Sequence, residues 1–241
     1  MKFFAALPPG YIREDLPPGN YLVSAGSWWD KKKLRLPKYI PMGENYHYMI
    51  DSGGFNFKDT GDYPFSFQEY ITWAAHFDPD TVVAPDSFAN AERTWVFLND
   101  YANILWCSGY NWRTAFVLTG ETEERYLWLM SKINHSFIVD NWAIGGLKRR
   151  KIDVAEIVNE IRKLTPEATI HLFGYGAGSW NKLSPEIQTQ VTSIDSGSWN
   201  GRFASGINDF NQIMKEKQLT QREVALQYML PRYIKRFEEN K

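Results

Sequence analysis

Met49-Ile50-Asp51-Ser52-Gly53-Gly54-Phe55 decides how the chain is read. An apolar run (Tyr46, Tyr48, Met49, Ile50) ends in an acid, and a small polar residue and two glycines follow at once. Such a pattern is a strand delivering a carboxylate to its C-terminal end, with a turn small enough for a ligand to approach the backbone. The same event recurs at Val82-Val83-Ala84-Pro85-Asp86, Ala143-Ile144-Gly145-Gly146, His171-Leu172-Phe173-Gly174 and Ser193-Ile194-Asp195-Ser196. Parallel α/β proteins place their chemistry at the C-terminal ends of their strands, so a site is expected there.

Working outward, strands are expected at Lys2–Ala6, Tyr21–Ala25, Tyr46–Ile50, Thr81–Ala84, Thr114–Leu118, Trp142–Ile144, Thr169–Phe173 and Val191–Ile194. Helices alternate with most of them. Ser66-Phe67-Gln68-Glu69 is a capping box opening an apolar face of Tyr70, Ile71, Trp73, Ala74 and Phe77. Further helices are expected over Asn90–Trp106, Thr122–Ile133, Asp153–Leu164 and from Ser184-Pro185-Glu186. Ala204–Glu216 and a stretch opened by Thr220-Gln221-Arg222-Glu223 add two helices at the C-terminus, the second with a kink at Pro231. The sum is one α/β domain over residues 1–241, an irregular (β/α)₈ TIM-type barrel with extra C-terminal helices. It is irregular because the first two connections lack good helices; an open doubly wound sheet is the nearest competitor.

A length of 241 residues fits one large α/β domain, and 44% hydrophobic with 23% charged residues is a globular composition. The net charge of −1 supplies no global attraction to nucleic acid, so any such contact rests on a local patch. A single cysteine, Cys107, excludes a disulfide framework and a multi-cysteine zinc site, and the four histidines show no ligand spacing; no metal and no cofactor is expected. Neither a signal peptide nor a run of spanning length is read in the sequence, so an intracellular, cytoplasmic protein with no membrane partner is expected. Among ten tryptophans, Trp28, Trp29 and Trp199 are candidates for stacking on a base.

Three acids, Asp51, Asp86 and Asp195, end predicted strands. Carboxylates converging on a barrel mouth suit acid/base work, a covalent nucleophile, or recognition of an N–H-rich ligand edge. Gly145-Gly146 brings backbone N–H groups near a ligand, and Lys148-Arg149-Arg150-Lys151 follows close behind, on the active face, where it would hold phosphates. Gly174-Tyr175-Gly176-Ala177-Gly178 lacks the Lys-Ser/Thr of a P-loop and the βαβ spacing of a dinucleotide site.

Taken in order, Asp51-Ser52-Gly53-Gly54-Phe55, Asp86 after Ala84-Pro85, Ala143-Ile144-Gly145-Gly146-Leu147, His171-Leu172-Phe173-Gly174-Tyr175-Gly176 and Ser193-Ile194-Asp195-Ser196 resemble the motifs of the tRNA-guanine transglycosylase superfamily, over about residues 46–200. The resemblance implies a barrel enzyme that replaces guanine in nucleic acid with a free 7-deazaguanine through a covalent aspartyl–sugar intermediate. By that resemblance Asp195 is the nucleophile, Asp51 the general acid/base and Asp86 the reader of the base's N–H edge. Ser52, Gly145, Gly146 and Leu147 match residues lining the base pocket, and Gly53, Thr119 and Gly174, in the same motifs, are assigned to it with them. Breaking an N-glycosidic bond with a carboxylate nucleophile and a second acid calls for two carboxylates in different environments, which agrees.

Two departures shape the expectation. Thr119 stands where the family carries a base-binding glutamine, and the family's three-cysteine-plus-histidine zinc site is absent. The chain resembles the minimal phage and bacterial paralogues that modify DNA rather than tRNA, so DNA is the favoured polymer partner. The family often forms homodimers, and the missing zinc region removes part of the basis for expecting one. Two alternatives stay open: a hydrolase or base-exchanger on free nucleosides or nucleotides, and a non-catalytic barrel that binds a deazaguanine.

Overall fold

The protein is described by a computed structural model covering residues 1–147, 152–199 and 210–238. Eight strands close into a barrel in chain order: β1 (Lys2–Ala6), β2 (Gly19–Ser24), β3 (Tyr46–Asp51), β4 (Thr81–Val83), β5 (Arg113–Leu118), β6 (Asn141–Ile144), β7 (Thr169–Leu172) and β8 (Ser193–Ser196). Every neighbouring pair is parallel, and β1 closes against β8 from Lys2↔Ser193 to Ala5↔Ser196. The fold is therefore the (β/α)₈ barrel, not the open sheet.

The period of two along each strand separates two cores. Phe4, Leu22, Met49, Val83, Ala115, Val117 and Ala143 fill the barrel interior. Their neighbours Phe3, Val23, Ile50, Val82, Phe116, Ile144 and Leu172 point outward into the layer under the helices. Because both faces are covered, the strands read as nearly continuous apolar runs until a polar residue ends them.

Helices follow in the spaces the sequence leaves: α1 (Ala25–Trp28), α2 (Phe67–Ala75), α3 (Ala91–Ser108), α4 (Glu123–Ser136), α5 (Val154–Leu164), α6 (Ala177–Trp180), α7 (Pro185–Gln190), α8 (Phe210–Glu216), α9 (Gln221–Val224) and α10 (Leu230–Glu238). The boxes at Ser66/Glu69 and Thr220/Glu223 are both formed as reciprocal caps. Residues 204–209 of the expected Ala204–Glu216 helix lie outside the described residues.

The start of the last strand differs from the sequence expectation. Val191 caps α7 and β8 begins at Ser193, so Asp195 stands inside its strand instead of after it. Pro231 stands at the second position of α10. Lacking an N–H for the preceding turn, it is accommodated by a π-helical turn, Ala225–Met229, where the Leu230 N–H reaches the Ala225 carbonyl. Between β1 and β2 there is no helix, and the C-terminal helices cover β1 instead. Tyr233 packs on Phe3 with centroids 5.4 Å apart, and Arg222 bonds the Tyr11 carbonyl and the Asp15 carboxylate. Among the described residues no helix is long and apolar enough to cross a membrane.

Candidate active site

A cavity of about 440 Å³ opens at the C-terminal mouth of the barrel, within the usual range for a small-ligand site. Asp51 reaches it from the last position of β3, Asp86 from three residues past β4, and Asp195 from within β8. Gly145, Gly146 and Leu147 line it after β6, and Gly174 after β7. Segments separated by more than a hundred residues thus meet because each ends a strand of one closed sheet.

Asp195 is buried, and its Oδ1 accepts the Gly174 backbone N–H at 2.6 Å and lies 3.3 Å from His171 Nε2. Asp51 sits opposite Ser24 in the β2–β3 register. Burial pushes its carboxyl up to about 6; Ser24 and the Gly53 N–H pull it down, and the Asp195 charge raises it further. Asp86 is pushed up to about 7, by burial first and by the charge of Asp51 second. Asp51 therefore feels the charge of Asp195 on one side and raises Asp86 on the other. At neutral pH, Asp51 and Asp86 are poised to gain or lose a proton, which an ordinary exposed aspartate is not.

Close backbone approach makes this packing possible. Gly53 has φ +88°, and a Cβ there would lie 2.4 Å from the Gly26 amide nitrogen. Gly146 has φ +76°, and the carbonyl of Gly145 before it accepts the Tyr126 hydroxyl at 2.5 Å. The 145–146 turn is in this way fastened from α4, with its peptide groups at the cavity wall.

No protein-family model and no curated protein matches the chain.

Several expected site residues lie elsewhere. Ser52 is fully buried and its hydroxyl bonds that of Tyr63 at 2.8 Å; Gly53 packs against the Gly26 backbone; neither lines the cavity. Thr119 is fully buried with its Oγ1 accepting the Ala89 N–H at 2.9 Å, so it stands behind Gly146 and buttresses the loop after β4. Lys148, Arg149, Arg150 and Lys151 lie outside the described residues. The three tryptophans are structural: Trp199 is fully buried against Tyr11, Trp28 is in the core, and Trp29 packs on Phe65. Among the described residues no three His, Cys, Asp or Glu side chains are grouped to hold a metal ion.

The rings that do reach the cavity are Phe55, Phe88 and Phe173. Phe55 and Phe88 meet edge to face at 5.1 Å on the rim, with Lys58 Nζ 5.5 Å from the Phe55 ring. Phe55 was within the deciding stretch and Phe88 two residues past Asp86, yet nothing in their spacing marked them. Tyr63 was missed as well. Its hydroxyl donates to the Asp86 carbonyl at 2.8 Å and accepts the Asp86 N–H at 3.1 Å, clamping that residue's backbone.

Proposed function

We propose that the protein is a nucleic-acid guanine transglycosylase, a pentosyltransferase acting on DNA in preference to tRNA. The observation that carries this is the convergence of Asp51, Asp86 and Asp195 on one glycine-walled cavity, where burial raises the carboxyls of Asp51 and Asp86. Asp195 attacks C1′ of the target nucleotide; the C1′–N9 bond breaks and its electron pair leaves with guanine, which takes the proton of Asp51. A free 7-deazaguanine then enters, gives its N9 proton to the Asp51 carboxylate and attacks C1′, and the ester bond to Asp195 breaks to restore the carboxylate. Asp86 accepts hydrogen bonds from the N–H edge of either base. Phe55, Phe88 and Phe173 supply the apolar walls for a flat ring. A stacked guanine hides its glycosidic bond, so the target nucleotide must be flipped or unpaired. The preference for DNA rests on the resemblance to the zinc-less DNA-modifying paralogues.

The test is exchange of radiolabelled guanine into guanine-containing duplex DNA, single-stranded DNA and bulk tRNA, with Asp195→Ala in parallel. Label entering DNA, and lost in Asp195→Ala, is the expected result. Label entering no polymer, or persisting in the variant, overturns it; turnover of free nucleoside alone would move the activity to small substrates.

A further inference from the structure

We propose that His171 is a positioning residue for Asp195: it fixes Oδ1 from inside the barrel and leaves Oδ2 as the reacting oxygen. This rests on the transglycosylase proposal above, and it concerns a side chain that does not itself line the cavity.

Outward-facing Ile170 and Leu172 turn His171 into the barrel, and the β7–β8 register pairs His171 with Ser193, one inward layer below Asp195. The imidazole is buried and its orientation is fixed on two sides, by the edge of Phe4 at 6.0 Å and of Phe173 at 4.7 Å. Both nitrogens have partners: Nδ1 lies 2.9 Å from Ser193 Oγ and Nε2 lies 3.3 Å from Asp195 Oδ1. Since Oδ1 already accepts the Gly174 N–H at 2.6 Å, it is an acceptor here, and the proton on this contact belongs to Nε2. A Ser193 hydroxyl donating to Nδ1 selects that tautomer. Two donors therefore converge on one carboxylate oxygen, while Oδ2 has no hydrogen-bond partner among the described residues. A nucleophile restrained in this way loses little freedom when it reacts, which is how groups behind a reacting side chain accelerate it.

The test uses the full chain and a guanine-containing DNA oligonucleotide, following the covalent protein–DNA adduct in single turnover after denaturing quench. His171→Phe keeps a ring without the donor, and His171→Gln restores an N–H close to the Nε2 position. His171→Phe should slow adduct formation roughly 10–100-fold, with affinity for free 7-deazaguanine unchanged. His171→Gln should recover most of that loss. Adduct formation at the wild-type rate in His171→Phe, or no recovery in a folded His171→Gln, overturns the assignment. If His171→Phe does not fold, Ser193→Ala decides: a several-fold slowing supports the proposal and an unchanged rate overturns it. Wild-type protein that forms no adduct with any nucleic acid overturns the transglycosylase proposal itself. A wild-type adduct with insensitive His171 variants overturns the positioning role alone.

Discussion

At Gly54 a single methyl group would sit 2.4 Å from the Asp86 carboxyl oxygen and 2.5 Å from the Asp86 carbonyl oxygen. The constraint here is space, for no left-handed conformation is involved, and one of the two obstacles is backbone that cannot swing aside. The Asp-Ser-Gly-Gly order thus has a division of labour: Gly53 makes the turn and Gly54 lets the second acid come close. Gly54→Ala should move Asp86 out of line at a cost of about 1–3 kcal/mol in stability, and a comparable loss at the base would weaken affinity for 7-deazaguanine by about 5–150-fold. Equilibrium binding of the base measures it. Gly178→Ala, which adds a methyl group to open space, is the control and should bind as wild type.

Between elements, the site depends on two strands that part company. β3 and β4 pair only at Met49↔Thr81 and Ile50↔Val82, and beyond that point tyrosines bridge the gap. Tyr70 of α2 donates its buried hydroxyl toward the Ile50 carbonyl (3.0 Å) and the Val83 carbonyl (2.8 Å), while Tyr63 joins Ser52 to the Asp86 backbone. Tyr63→Phe removes the partner of a buried Ser52 hydroxyl and of both Asp86 backbone groups. It should cost about 1–3 kcal/mol in chemical unfolding and weaken base binding more than it slows attack by Asp195, since Tyr63 touches only the β3–β4 side. Equal losses in binding and in adduct rate would refute that separation. This bridging also marks what was legible in the sequence. The strand ends were legible, because doubly covered parallel strands are apolar until a polar residue stops them, and so the meeting of Asp51, Asp86, Asp195, Gly145 and Gly146 at one cavity could be read from them. The inward position of His171 follows from the same alternation. That Thr119 and Ser52 stand outside the cavity lining was not legible, because the direction of a buried hydroxyl is set by partners distant in sequence, Ala89 for one and Tyr63 for the other. Tyr63 itself lies in a loop with no periodicity to reveal it.

For the molecule as a whole, gathering three acids at one mouth opposes stability, and the opposition has a direction in pH. Asp86 in the folded protein is raised from 3.8 to about 7, and Asp51 from 3.8 to about 6, chiefly by burial in both cases. Both groups hold protons in the native state that the unfolded chain has released, so their contribution is favourable at low pH and is lost as pH rises through 6 and 7. Between pH 5.5 and pH 8 that loss is about 2 kcal/mol from Asp86 and about 1 kcal/mol from Asp51. The carboxylates pulled down by partners, Glu69 and Glu223 at their caps and Asp15 beside Arg222, act in the opposite sense, but only as pH falls below their ordinary range. Asp86→Asn keeps the shape and removes the titration. Its stability relative to wild type should rise by about 2 kcal/mol from pH 5.5 to pH 8, or about 4–8 °C in thermal midpoint for a chain of this size. The reading is the difference between variant and wild type at each pH, so histidines common to both cancel. A constant difference across that range would mean that Asp86 is ionised throughout, and that burial in the cavity does not raise its carboxyl.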